Sequence, residues 1–141
     1  MRRPRFRLFL IVAIGVAGCR AVPTPLAGTG ARETAQRFFA ALIRQDCDGA
    51  YAALHPDERP KVSREQFTQL AKTFYKHLGF EPGTVQVWAS DERADGATAH
   101  VTVIGRSPQS HKQYKDAVAL RRTRDGWGVI LSPKFGRPPR H

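Results

Sequence analysis

A carboxylate on a predicted strand is the chain's main candidate for proton-transfer chemistry. Alternation of residue types predicts that Tyr114, Asp116 and Val118 share one face of that strand. If the face lines the interior, burial would raise the pKa of the Asp116 carboxyl and suit it to act as a general base, with Tyr114 or Tyr75 as hydrogen-bond donor. Trp88, on another predicted strand, could line the same pocket. The simpler alternative puts Asp116 in solvent at the open end of its strand.

The two cysteines of the chain point to different roles. Cys47 lies at the start of a short predicted helix, where we expect it to pack as a small apolar residue rather than to react. Cys19 follows Val16, Ala17 and Gly18, and these four residues resemble the lipobox of bacterial lipoproteins. In that motif the thiol takes up diacylglycerol, and the small residues before it let the signal peptidase reach the backbone.

The residues before Cys19 support this interpretation. Four arginines lie within residues 2–7, and an uninterrupted run of apolar and small residues fills 8–18. Such a run rises only about 16 Å as a helix, roughly half of a hydrocarbon core, so it is a poor transmembrane span. We predict a lipoprotein signal peptide over residues 1–18 and acyl chains, palmitate among them, on Cys19. The domain would then be anchored in the cell membrane or outer membrane and face the periplasm or the exterior.

Other patterns that carry chemistry are missing from the sequence. The five histidines are scattered without ligand spacing, and there is no phosphate-binding glycine loop and no Gly-x-Ser-x-Gly elbow. We therefore predict no catalytic residue, no metal and no cofactor. The net charge of +11 is typical of nucleic-acid binding. Export would remove the chain from nucleic acid, which makes lipid head groups or envelope polymers better candidates as counter-charges. We favour the simpler interpretation that the surplus of arginine only keeps the surface soluble.

The remaining sequence predicts one small α+β domain over residues 31–136, after a flexible tether over 19–30 and before a basic tail over 137–141. An apolar stripe at helical spacing predicts a first helix over about 31–44, and a short second helix follows over about 48–54. Ser63 and Gln66 form a capping box for a third helix, which Gly79 ends.

Beyond Gly83 the apolar residues recur every second position, as in strands, and Asp-Gly pairs at 95–96 and 125–126 predict turns. We therefore predict three N-terminal helices packed on a curved four-stranded antiparallel sheet.

The order of these motifs resembles the nuclear-transport-factor-2-like superfamily, and within it the small bacterial lipoprotein domains. The matching stretches cover parts of residues 31–135: Phe38 to Leu42, Asp46 to Tyr51, Ser63 to Phe67 and Arg124 to Ile130. The resemblance implies a cone-shaped fold with a curved sheet wrapped around a long helix and a cavity inside. It implies no activity, because some members are enzymes and many are binding or scaffolding modules.

Together these observations favour a membrane-anchored lipoprotein of the cell envelope with a non-catalytic binding or accessory domain. That domain would hold a small apolar ligand in the cone or dock an envelope protein. One alternative is a small enzyme, an isomerase or hydrolase, that uses Asp116; an outward, fully exposed carboxylate would end it. The other is a structural envelope protein that dimerises through its sheet.

Overall fold

The computed structural model describes residues 30–137, apart from the side chains of residues 89 and 90. The predicted signal peptide, Cys19 with its tether, and residues 138–141 of the tail lie outside the described residues.

Three helices open the described part of the chain: α1 (Ala31–Ile43), α2 (Cys47–Ala52) and α3 (Arg64–Leu78). The capping box predicted for α3 is confirmed. The Gln66 N–H donates to the Ser63 hydroxyl at 3.1 Å, and the Ser63 N–H donates to the Gln66 side chain at 3.0 Å. Gly79 ends the helix in the left-handed conformation, with φ of 66°. These local bonds satisfy backbone groups that the helix itself leaves unpaired.

Four strands follow: β1 (Glu81–Glu92), β2 (Gly96–Ser107), β3 (Ser110–Thr123) and β4 (Gly126–Ile130). They pair antiparallel in chain order, and tight connections at the two predicted Asp-Gly turns join β1 to β2 and β3 to β4. The first three strands are longer than the alternation of residue types predicts. Backbone pairing continues to Ser107 opposite Ser110, where the residues carry no apolar pattern.

The prediction of a purely antiparallel four-stranded sheet is wrong at the β4 edge, where a fifth backbone segment extends the sheet. Leu54 forms a parallel bridge with Val129, the His55 N–H donates to the Val129 carbonyl at 2.9 Å, and the Val129 N–H donates to the Ala53 carbonyl at 2.9 Å. The bridge covers an edge that would otherwise present unpaired backbone groups. In the sequence, His55-Pro56 indicates only the end of a helix. A one-residue bridge produces no alternation of apolar and polar residues, so the sequence does not predict it.

Gly128 explains how this fifth segment comes so close. A Cβ at position 128 would overlap the backbone of His55, so only glycine permits the contact. His55 is itself buried: its Nε2 donates to the Arg122 carbonyl at 3.1 Å, and its Nδ1 accepts from the Asp57 N–H at 3.1 Å. This histidine therefore has a structural role at the junction of the helices and the sheet.

The core lies between α1 and the inner face of the sheet. Phe38, Phe39 and Leu42 of α1 are at most 2 % exposed, as the helical stripe predicts. None of the three helices described between residues 30 and 137 has the length and hydropathy needed to cross a bilayer.

Candidate ligand-binding groove

The inner face of the sheet is open at the start of β3. Tyr114 pairs with Val103 and Asp116 pairs with Val101, and both valines are buried. Residues directly opposite each other in an antiparallel pair lie on the same face, so Tyr114 and Asp116 point to the interior side. Asp116 is nevertheless exposed and Tyr114 only half-buried, because α1 does not extend over this part of the sheet.

A hydrogen bond joins the two polar side chains of this open region. The Tyr114 hydroxyl donates to Asp116 Oδ2 at 3.0 Å, and the Ala117 N–H donates to Asp116 Oδ1 at 2.8 Å. Burial of the phenol raises the pKa of Tyr114 well above its ordinary value, and the adjacent Asp116 charge raises it further. Tyr114 therefore remains a protonated donor. Each carboxylate oxygen of Asp116 already accepts one hydrogen bond.

Residues 132–137, which we call the strap, close one side of the open region. The Phe135 ring stacks on Phe67 and Phe74, with ring centroids 5.9 and 5.4 Å apart, and lies 6.1 Å from Phe38. Backbone bonds from Phe135 to Ser132 and from Arg137 to Lys134 fold the strap into a compact turn. The strap thus adds an aromatic residue to the core that the helices and strands do not supply.

Gly136 fixes the position of the strap against α3. Its φ is 66°, in the left-handed region that glycine tolerates best. A Cβ at this position would lie 2.5 Å from the Leu70 carbonyl oxygen. Both the backbone conformation and the close approach therefore require glycine.

A cavity of about 440 Å³ lies between α3, β3 and the strap, and we call it the groove. Its apolar wall consists of Phe74, Leu78 and Phe135, with Tyr114 opposite. Charged and polar side chains stand around its mouth: His77, Asp116, Ser132, Lys134 and Arg137. The volume falls in the range of small-molecule sites, which are largely apolar with a few converging polar groups.

The structure brings together only two of the four side chains predicted to share a pocket, Tyr114 and Asp116. Trp88 lies on the opposite face of the sheet with 68 % of its surface exposed, and its indole N–H donates to Thr102 Oγ1 at 2.9 Å. It sits at an irregularity in the β1–β2 register, between Val87 and Ala89. Tyr75 is half-buried on α3 and does not line the groove.

The hypothesis that Asp116 acts as a general base required a buried carboxyl, and the structure does not bury it. Its carboxylate is exposed, and its oxygens accept bonds from Tyr114 and from the backbone of Ala117. The simpler alternative from the sequence, an aspartate in solvent, agrees with this exposure, although Asp116 lies in the middle of β3 and not at its end. Cys47, the first residue of α2, is half-buried against the core.

Sequence reasoning missed Phe135, Lys134 and Arg137 as members of a site. Phe135 is a lone aromatic residue among prolines and cations, and no periodic pattern shows that it returns to the core. The strap can be seen only once α3 and β3 are in place. Among residues 30–137, no cluster of three His, Cys, Asp or Glu side chains could hold a metal ion.

Comparisons with known proteins show the fold. No family model and no curated protein matches the chain. A solved structure from Campylobacter jejuni, provisionally named a nuclear-transport-factor-2-like transpeptidase, superposes with a TM-score of 0.57 at 17% identity, over 71% of this chain and 96% of that one. At that identity the likeness establishes a fold of the nuclear-transport-factor-2-like kind and carries no activity.

Two proteins that contain a SEC-C motif are also similar. One, from Psychrobacter arcticus, has a TM-score of 0.50 at 10% identity, over 69% of this chain and 55% of that one. The other, from Rhodopseudomonas palustris, has a TM-score of 0.49 at 16% identity, over 66% and 69%.

Proposed function

We propose that this protein is a bacterial envelope lipoprotein, anchored through acyl chains on Cys19, whose domain binds a small, largely apolar ligand in the groove without catalysis. The observation that carries the proposal is the groove itself: an aromatic wall beside a half-buried tyrosine, at the open end of the inner sheet face. The fold favours a cavity at this place, between a long helix and a curved sheet.

The route of the chain places the start of the domain and the groove at different ends of β3. Gly30, where the described domain begins, lines a cleft with Asp125 and Trp127 at the β3–β4 turn. Asp116 lies seven residues before Thr123, the last residue of β3, a separation of about 23 Å at 3.3 Å per residue. The groove therefore lies at the other end of β3 from the place where a tether to Cys19 would join the domain.

The chemistry at the groove supports binding rather than catalysis. The carboxylate of Asp116 is in solvent and its neighbour Tyr114 is a donor that does not ionise near neutral pH. Tyr114, whose pKa is raised further from neutrality, lacks the matched pKa that general acid–base catalysis requires.

The anchor is tested by the mass of the full chain isolated from membranes of an expressing bacterium. We expect a chain that begins at Cys19 and carries a diacylglyceryl group and a further acyl chain. The Cys19→Ser variant should keep residues 1–18 and gain no lipid. A wild-type chain with an intact leader and an unmodified thiol would refute the anchor.

The groove is tested by a neutral probe, 4-phenylbutanol, titrated calorimetrically into the full chain in nanodiscs, with empty nanodiscs as the blank. We expect saturable binding, which Asp116→Trp abolishes because an indole would fill the mouth of the groove. Trp88→Phe is the matched control on the other sheet face and should bind like the wild type. No saturable binding, or equal binding by all three proteins, would refute the groove as a ligand site.

A further inference from the structure

The charges around the groove are not balanced. Both oxygens of the Asp116 carboxylate already accept hydrogen bonds within the domain. Lys134 and Arg137 line the same groove, and neither side chain forms an ion pair with a carboxylate among residues 30–137. Asp116 remains a charged carboxylate, but one negative charge against two positive ones leaves the lining of the groove with a net positive charge.

The end of the domain that holds the groove shows the same imbalance. It consists of the last turn of α3, the start of β1, the β2–β3 turn and the strap. Its exposed cations are Lys76, Arg106, Lys112, Lys115, Lys134 and Arg137, with His77 and His111 beside them, and its carboxylates are Glu81 and Asp116. The opposite end, which we call the Gly30 end, mixes both signs, and there Arg121 pairs with Asp57 at 3.5 Å and Arg93 with Asp91 at 3.7 Å.

Helix stability explains only some of the exposed cations at the groove end. Lys76 and His77 lie in the last turn of α3, where cations interact favourably with the helix dipole. Lys134 and Arg137 lie on the strap, outside any helix, and form no side-chain bond within residues 30–137 that would hold the strap in place. Phe135 and Gly136 hold it instead, so the two cations are free to serve a ligand.

We propose that the ligand of the groove is an amphipathic anion, with a carboxylate or phosphate monoester as its head group. Its apolar body packs along Phe74, Leu78 and Phe135, and its head group binds Lys134 and Arg137 at the mouth. The arginine fork suits a planar or tetrahedral oxyanion, and charge-assisted hydrogen bonds are the stronger kind. This inference rests on the proposed groove and adds the charge of the ligand.

A series of probes with one body and different head groups tests the sign of that charge. The probes are 4-phenylbutyrate, 4-phenylbutyl phosphate, 4-phenylbutanol and 4-phenylbutylamine, titrated into the full chain in neutral-lipid nanodiscs. We expect at least one of the two anions to bind about tenfold more tightly than the alcohol, and the amine to bind no better than the alcohol. The two anionic probes also separate a carboxylate ligand from a phosphate ligand.

Paired charge variants test which residues supply the preference. Lys134→Gln with Arg137→Gln should reduce the affinity for the preferred anion about tenfold and leave 4-phenylbutanol binding unchanged. Arg106→Gln with Lys115→Gln removes the same charge from the same end, but on the other face of the sheet. This control should keep most of the preference, because only the long-range field changes.

The outcomes separate the two proposals. If no probe binds, the groove itself is refuted. If the alcohol binds but the amine binds as well as the anions, the groove stands and the anionic ligand is refuted. Equal losses in the two double variants would also refute direct contact with Lys134 and Arg137.

Discussion

At the Gly30 end of the domain, the inner face of the sheet is sealed. Val118, Leu120 and Val129 are buried there, Trp127 is 8 % exposed, and Arg122 stacks over the indole at 4.5 Å. At the groove end, the same face of the same strand carries Tyr114 and Asp116, and the end of α3 and the strap cover it only in part. One strand thus serves the core at one end and an accessible groove at the other.

The difference shows how a small domain can keep a site without weakening its core. Helix α1 packs against the part of the sheet whose inner side chains are aliphatic. Helix α3 and the C-terminal strap cover the rest, through Phe74 and Phe135. A strap held by one ring and one glycine is easier to displace than a helix, because fewer buried contacts hold it. One end of β3 therefore contributes to the stable core, and the other end remains accessible from solvent.

The largest expected effect tests the sealed end. Trp127→Ala should lower the free energy of unfolding by about 3–5 kcal/mol, because it removes a large buried ring. Trp88→Ala removes the same side chain where it is mostly exposed, and should cost less than about 1 kcal/mol. Urea unfolding of both variants measures the contrast, and equal losses would contradict the assignment of the two faces.

A smaller effect tests the strap. Gly79 and Gly136 share a φ of 66°, but a Cβ at position 79 meets nothing within 4 Å, whereas one at 136 meets Leu70. Gly79→Ala should cost about 1 kcal/mol for the left-handed backbone alone. Gly136→Ala should also speed amide exchange in residues 132–137, because the strap must leave α3. A strap that exchanges at the wild-type rate in Gly136→Ala would contradict its close fit.

The smallest effect concerns Tyr114 and appears only at high pH. Because the pKa of Tyr114 is raised in the folded state, the folded chain keeps this proton above pH 10, where an unfolded tyrosine loses it. That contribution to stability is complete below about pH 10 and is lost as pH rises further. The unfolding free energy should therefore fall more steeply between pH 10 and 11.5 in the wild type than in Tyr114→Phe. Parallel pH curves would contradict the raised pKa.

Much of the fold could be predicted because its signals are local. The stripe on α1, the capping box at Ser63 and the turn at Asp125 each depend on residues close in sequence, and the structure contains all three. The Leu54 bridge depends on a single backbone contact with a distant strand, so no periodicity announces it.

The groove could be predicted only in part. Alternation put Tyr114 and Asp116 on one face of the strand, but it left open whether that face is the inner one, and it cannot show where the cover of α1 ends. Trp88 lies on the other face because it alternates with the buried Val87. The strap was missed since Phe135 reaches the core across more than 60 residues of sequence, through its contact with Phe67.

The central claim, that the groove end and not the Gly30 end receives the ligand, is tested most directly by amide hydrogen exchange. The full chain in nanodiscs is compared with and without saturating 4-phenylbutyrate. We expect slower exchange in residues 112–118 and 132–137, and unchanged exchange in the β3–β4 turn over residues 121–127. Protection centred on that turn, or no protection in the strap at saturation, would contradict it.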